Sequence, residues 1–161
     1  MTSDNTPTVK AVCVSEVKGT VKTPVHEIIL EENYGIIGDA HAGEGHKQIS
    51  LLADESALKL RSKIPNLKAG AFAENILTSG ICLYELPIGA RLQIGKTVLE
   101  VTQIGKACHN DGCIIKQQTG DCVMPREGIF ASVLKGGVIK PGERIEQVQI
   151  NTNKTGQGET K

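Results

Sequence analysis

Apolar residues recur along this chain at two different periods. Val9 to Val17 and Val25 to Leu30 are rich in β-branched residues and are separated by Gly19 and Pro24, which predicts two strands around a loop. Gln48 to Leu52 predicts another short strand, as do Asn75 to Thr78, Arg91 to Ile94 and Thr97 to Ile104. The last two face each other across Gly95-Lys96 as a hairpin. Between Ala53 and Ile64 the period lengthens. Ala57, Leu60 and Ile64 fall on one helical face, with acids in the first turn and bases later, as the helix dipole prefers. That helix is predicted to stop before Pro65-Asn66. A second helix is predicted from about Pro125 to Lys135, because proline is tolerated in a first turn, Ile129, Phe130, Val133 and Leu134 make an apolar stripe, and Gly136-Gly137 end it. Glu143 to Ile150 predicts a final strand.

Some seven short strands and two short helices, with no alternating βαβα order, predict a mainly β, α+β fold closed or curled into a barrel. The polar residues 1–8 and 151–161 carry no apolar periodicity and read as disordered tails. Residues 9–150 then form a single domain. A chain of 161 residues fits one domain, and with 39% hydrophobic residues it can bury a stable core without disulfides.

Composition narrows the function. Eighteen basic residues balance eighteen acidic ones, so no long-range field draws the chain to nucleic acid or anionic lipid. The aromatic residues are Tyr34, Phe72, Tyr84 and Phe130, too few for the stacking platforms of single-strand binding. No apolar run approaches the roughly 20 residues that span a bilayer. The first residues lack the basic and apolar regions of a secretory signal. With five cysteines, an odd number, this places the protein in a reducing cytoplasm with free thiols. Cys13 and Cys82 stand among apolar neighbours and read as small buried hydrophobes.

Three constellations could carry chemistry. Gly38-Asp39-Ala40-His41-Ala42-Gly43-Glu44-Gly45-His46 is a glycine-punctuated loop able to wrap a ligand, or equally an Asx turn in which Asp39 caps its own backbone. Glu74 and Asn75 stand between Phe72 and Ile76, where a polar pair is either exposed or buried with partners, exposure being the commoner case. The third holds Lys106, Cys108, His109, Asp111 and Cys113, followed by Asp121, Cys122, Pro125 and Arg126. Thiolates and an imidazole at this density suit a metal or sulfur chemistry. A zinc site would use Cys108, His109, Cys113 and Cys122, but the spacing lacks close Cys-x2-Cys knuckles. Alternatively, Cys108 is a reactive thiolate whose ionisation Lys106 and His109 favour.

Gly38-Asp39-x-His41-x-Gly43, Gln48-x-Ser50-Leu51-Leu52, Phe72-x-Glu74-Asn75-Ile76, Leu86-Pro-Ile-Gly89-x-Arg-Leu-x-Ile-Gly95 and the Cys108 loop followed by Gly136-Gly137 resemble, in order, the motifs of the MOSC domain. This is the module at the carboxy-terminal end of molybdenum-cofactor sulfurases, and the likeness covers about Val9 to Ile150. It is nearest to the small standalone bacterial form. The resemblance implies a β-barrel-like fold and one functional cysteine, which Gln103-Ile-Gly-Lys-Ala-Cys108 places at Cys108, as catalytic thiolate and molybdenum ligand. Gly105 and Ala107 stand where better-studied members have Arg and Pro. The resemblance further implies molybdenum cofactor as ligand, with Asp39, His41, Glu74, Asn75, Lys106 and Arg126 around its pterin or phosphate. A sulfur-donor protein such as a cysteine desulfurase is the implied partner. Pyridoxal phosphate would belong to that partner. A non-catalytic carrier of sulfur or cofactor and a structural zinc domain are the other readings.

Overall fold

The computed structural model describes residues 6–16, 22–40, 42–43, 45, 48–61, 69–70, 74–105 and 128–148. Eleven strands, one α-helix and one 3-10 turn are defined among them. They are β1 (Thr8–Val14), β2 (Thr23–Val25), β3 (Ile28–Glu31), β4 (Gly35–Ile36), β5 (Ile49–Ala53), α1 (Asp54–Arg61), β6 (Ile76–Ser79), the 3-10 turn Leu83–Glu85, β7 (Arg91–Ile94), β8 (Thr97–Ile104), β9 (Ile129–Lys135), β10 (Gly137–Ile139) and β11 (Ile145–Val148).

Eight strands form one sheet in the order β11-β7-β8-β9-β5-β6-β1-β2, and β10-β3-β4 form a second. All neighbours pair antiparallel except β5 and β6, which α1 connects. A parallel pair needs such a crossover, and the helix packs over both strands. Every residue of β5 is therefore buried, Ile49, Leu51 and Ala53 in the main core and Leu52 on the opposite face. In β8 the alternation is plain: Thr97, Leu99 and Val101 are buried while Val98, Glu100 and Thr102 are half-exposed. The β7–β8 hairpin turns across Gly95-Lys96 with Ile94 opposite Thr97, as predicted.

The mainly β class holds, but the ladder does not close into a barrel. β2 takes one edge of β1 only at Val12–Val14, leaving the Thr8 end to meet the segment before β11. That meeting is a single bridge, Thr8 to Arg144. Around it the Ile145 N–H donates to the Pro7 carbonyl at 2.9 Å and the Val9 N–H to the Glu143 carbonyl at 2.9 Å. The sheet curls until its ends touch without becoming a continuous ladder.

Two further expectations change. The predicted strand Val25 to Leu30 splits at His26-Glu27, because β2 pairs with β1 in the large sheet and β3 with β10 in the small one. The second predicted helix is strand β9 over its described part. Ile129, Ala131 and Val133 share one face in the core, and the strand is wedged between β5 and β8. Its apolar stripe fits a period of two as well as 3.6, and pairing on both edges decides for the strand. Gly136 is not a helix stop: a Cβ there would lie 2.5 Å from the Leu30 carbonyl oxygen, so glycine lets the chain pass against β3. The first helix is α1, and residues 62–64 of its predicted span lie outside the described residues.

A strand at β9 makes Ile129 and Leu134 unequal, whereas a helical stripe would bury both. Ile129 is fully buried and Leu134 only partly. Ile129→Ala is expected to cost about 2–5 kcal/mol in urea unfolding and Leu134→Ala clearly less.

Candidate functional site

The loops that carry the first two sequence motifs meet at the end of β1. Val12 and Cys13 are fully buried, and the chain leaves the sheet at Ser15. After β4 it turns through Gly38, and the Asp39 carboxylate points into the protein with none of its side chain exposed. Its Oδ1 accepts the Ser15 N–H at 3.0 Å and the Lys22 ammonium at 2.9 Å. Lys22 Nζ also donates to Ser15 Oγ at 3.0 Å, and the Ala40 N–H to the Ser15 carbonyl at 2.8 Å. The Asp39 side chain therefore bonds to the chain around β1 and β2 and anchors its loop there.

Glu74 and Asn75 are buried with partners, against the commoner expectation of exposure. Glu74 Oε2 accepts the Gly70 N–H at 2.7 Å. Asn75 ties three strands. Its Oδ1 accepts from Ser50 N–H at 3.0 Å and from Ser50 Oγ at 3.2 Å, and its Nδ2 donates to the Cys13 carbonyl at 3.0 Å. Its own N–H reaches Ser50, and its carbonyl accepts the Cys13 N–H at 2.7 Å. Lys22 joins the two motifs, since its N–H donates to the Gly70 carbonyl at 2.8 Å. Gly70 has φ +90°, and a Cβ there would collide with the Lys22 carbonyl, so a side chain would drive these segments apart.

Cys13 is buried beside this cluster, and its thiol is pushed up from an ordinary 9.0 to about 12. Desolvation is the main cause, the Glu74 charge adds to it, and Lys22 opposes both. It is a protonated core thiol, as its apolar neighbours predicted. Cys82 is not: it is exposed, beside a cavity of about 250 Å³ lined also by Ala53, Glu55, Ser56, Ile81 and Tyr84. Its apolar neighbours Ile81 and Leu83 share no strand with it, and only Leu83 turns fully inward.

His41, Lys106, Cys108 and Arg126 lie outside the described residues, as do His109, Cys113 and Cys122 of the zinc reading. The structure does fix where the Cys108 segment leaves and rejoins the sheet. Ile104 pairs with Ile129, and the Gly105 N–H donates to the Gly128 carbonyl at 2.6 Å. Among the described residues no three Cys, His, Asp or Glu side chains converge as a metal site, and no helix is long and apolar enough to cross a membrane.

Sequence reasoning missed Lys22 and Ser15, and it quoted Ser50 within a motif without assigning it a partner. Lys22 sits in a polar stretch beside Pro24 with no periodicity to betray it, and its near-complete burial is a tertiary fact. Ser50 offered a weak signal, a hydroxyl inside the apolar run Ile49–Leu52, where a buried polar group needs a partner.

Two measurements check this assignment. Lys22→Met strands the buried Asp39 carboxylate and is expected to cost about 3–5 kcal/mol in denaturant unfolding. For Cys13 the folded state keeps its proton to about pH 12, whereas the unfolded chain releases it near 9.0. The stabilisation from the protonated thiol is complete below pH 9 and is lost as pH rises towards 12. Unfolding midpoints across that window are expected to fall less steeply in Cys13→Ala than in the wild type.

No curated protein matches the chain in sequence. Solved structures of similar fold include the YuaD protein from Bacillus subtilis, with a TM-score of 0.75 and 20% identity, covering 89% of this chain and 97% of that one. YiiM from Geobacillus stearothermophilus gives 0.68 and 21%, covering 91% and 77%. YiiM from Escherichia coli gives 0.60 and 22%, covering 89% and 70%. At these identities the likeness speaks to the fold. The family model for the MOSC domain matches residues 38–146, well over half of the chain and a span that includes Asp39, Glu74, Asn75 and Cys108. On that match the chain belongs to the MOSC domain family.

Proposed function

We propose that this MOSC domain protein binds the molybdenum cofactor, or a molybdenum–sulfur precursor, and handles sulfur through Cys108. The observation that carries the reading is the family match, whose span of residues 38–146 includes the segment between β8 and β9 where Cys108 lies. The geometry supports a division of labour. Asp39 Oδ1, Glu74 Oε2 and both amide atoms of the Asn75 side chain are engaged by buried protein groups. These bonds hold the loops on which the three residues stand. Lys106, Arg126 and His41 would meet an anionic pterin phosphate through charge-assisted hydrogen bonds, with the Cys108 thiolate as soft ligand to molybdenum.

The chemistry asked of Cys108 is sulfane transfer. Its thiolate attacks the terminal sulfur of a persulfide on a cysteine desulfurase. A new S–S bond forms at Cys108 as the donor's S–S bond breaks, and the donor departs as thiolate. No net oxidant is needed, and pyridoxal phosphate stays with the donor. The molybdenum cofactor, when bound, would supply the centre that accepts this sulfur. Cytoplasmic location, where thiols stay reduced, suits such a cycle.

The test uses the full chain, purified from a host that makes the cofactor and then incubated with a cysteine desulfurase and sulfur-labelled cysteine. Peptide mass spectrometry is expected to find one added sulfur on Cys108, and elemental analysis to find molybdenum. Cys108→Ser should abolish both while the thermal midpoint stays put. Label without molybdenum would favour the carrier reading. Stoichiometric zinc with no label, or loss of both signals in Cys113→Ser but not in Cys108→Ser, would overturn the assignment.

A further inference from the structure

We infer that Lys22 is a positioning residue that couples the turn carrying Asp39 to Gly70 and, through Gly70, to Glu74 and Asn75, so that they hold or loosen together. Its side chain is 1% exposed and is bonded to Asp39 and Ser15. Its backbone faces the other way: the Lys22 N–H binds the Gly70 carbonyl, and the Gly70 N–H continues to Glu74. The buried ionisable groups here are Lys22, Asp39, Glu74 and the Cys13 thiol. Among the described residues Lys22 is the only cation of this group.

The coupling follows from the cost of orphaning a buried charge. If Asp39 swings out, Lys22 is left unpaired beside apolar β1, and the favourable response is for its side chain to follow towards water. That motion drags the Lys22 backbone, whose contact with Gly70 has no slack because Gly70 is packed against the Lys22 carbonyl. Opening either loop therefore weakens the other, and the linkage works equally in both directions. The proposed function enters only in naming these loops as the frame of the site. The coupling is a property of the protein without any ligand, so it stands or falls separately from molybdenum binding.

Amide hydrogen exchange on the full chain, resolved residue by residue, tests it. Asp39→Asn does not touch the Gly70 segment, yet it is expected to speed exchange at the Lys22 and Gly70 amides on the order of tenfold or more. Lys22→Met should do the same at the Ala40 amide. Amides in the β7–β8 hairpin should rise in either variant only by the loss of global stability, and by less than those at the two loops, and Lys22→Arg, which keeps the cation, should restore most of the protection. If Lys22→Met or Asp39→Asn proves too unstable to measure, Ser15→Ala removes the hydroxyl that accepts from Lys22 Nζ, and it should loosen Ala40 and Gly70 together by a smaller factor. Faster exchange confined to the loop that carries the substitution would overturn the coupling. So would an equal rise at every amide including the hairpin, which marks global destabilisation.

Discussion

The arrangement depends on one side-chain amide. β6 begins at Ile76, and at that level its neighbours β1 and β5 would face it with unpaired backbone groups inside the protein. Asn75 prolongs the ladder to both sides at once, its carbonyl and Nδ2 serving Cys13 and its N–H and Oδ1 serving Ser50. A short apolar residue there would leave several buried donors and acceptors without partners. Because Asn75 is fixed, Glu74 is fixed beside it, and through Gly70 and Lys22 the constraint reaches Asp39 on a loop far away in sequence.

A neutral chain can thus hold a strongly ionic interior at one place. Lys22, Asp39 and Glu74 are all nearly or fully buried. A surface pair of the same residues would contribute little. Taken out of water, each charge must keep its partner, which turns a weak attraction into a geometric restraint. Cys13 registers the same environment, its thiol kept neutral chiefly by loss of water.

The hairpin, the central strand β5 and the first helix were legible in the sequence because each follows from local pattern: alternation around Gly95-Lys96, an apolar run broken only by Ser50, and a 3.6 period with acids first. β9 was not, since Ile129, Phe130, Val133 and Leu134 satisfy either period and only the strands on its two sides select one. The site was legible in its residue types but not in their partners. Asp39, Glu74 and Asn75 stood out as polar groups in unusual settings, while Lys22, which joins them, looks in sequence like any solvated lysine. Cys82 misled in the opposite direction: apolar sequence neighbours do not guarantee burial when the backbone between them is irregular.

The bond between Gly105 and Gly128 bears on how such a domain can change. The segment carrying Cys108, Cys113 and Cys122 departs from and returns to a single point on an intact strand pair. Closing a stretch of chain between two fixed ends costs only about 0.6 kcal/mol more for each doubling of its length. Insertions, deletions and new cysteines can therefore accumulate between the two glycines with little penalty to the sheet, and what stands between them can diversify faster than the frame that presents it.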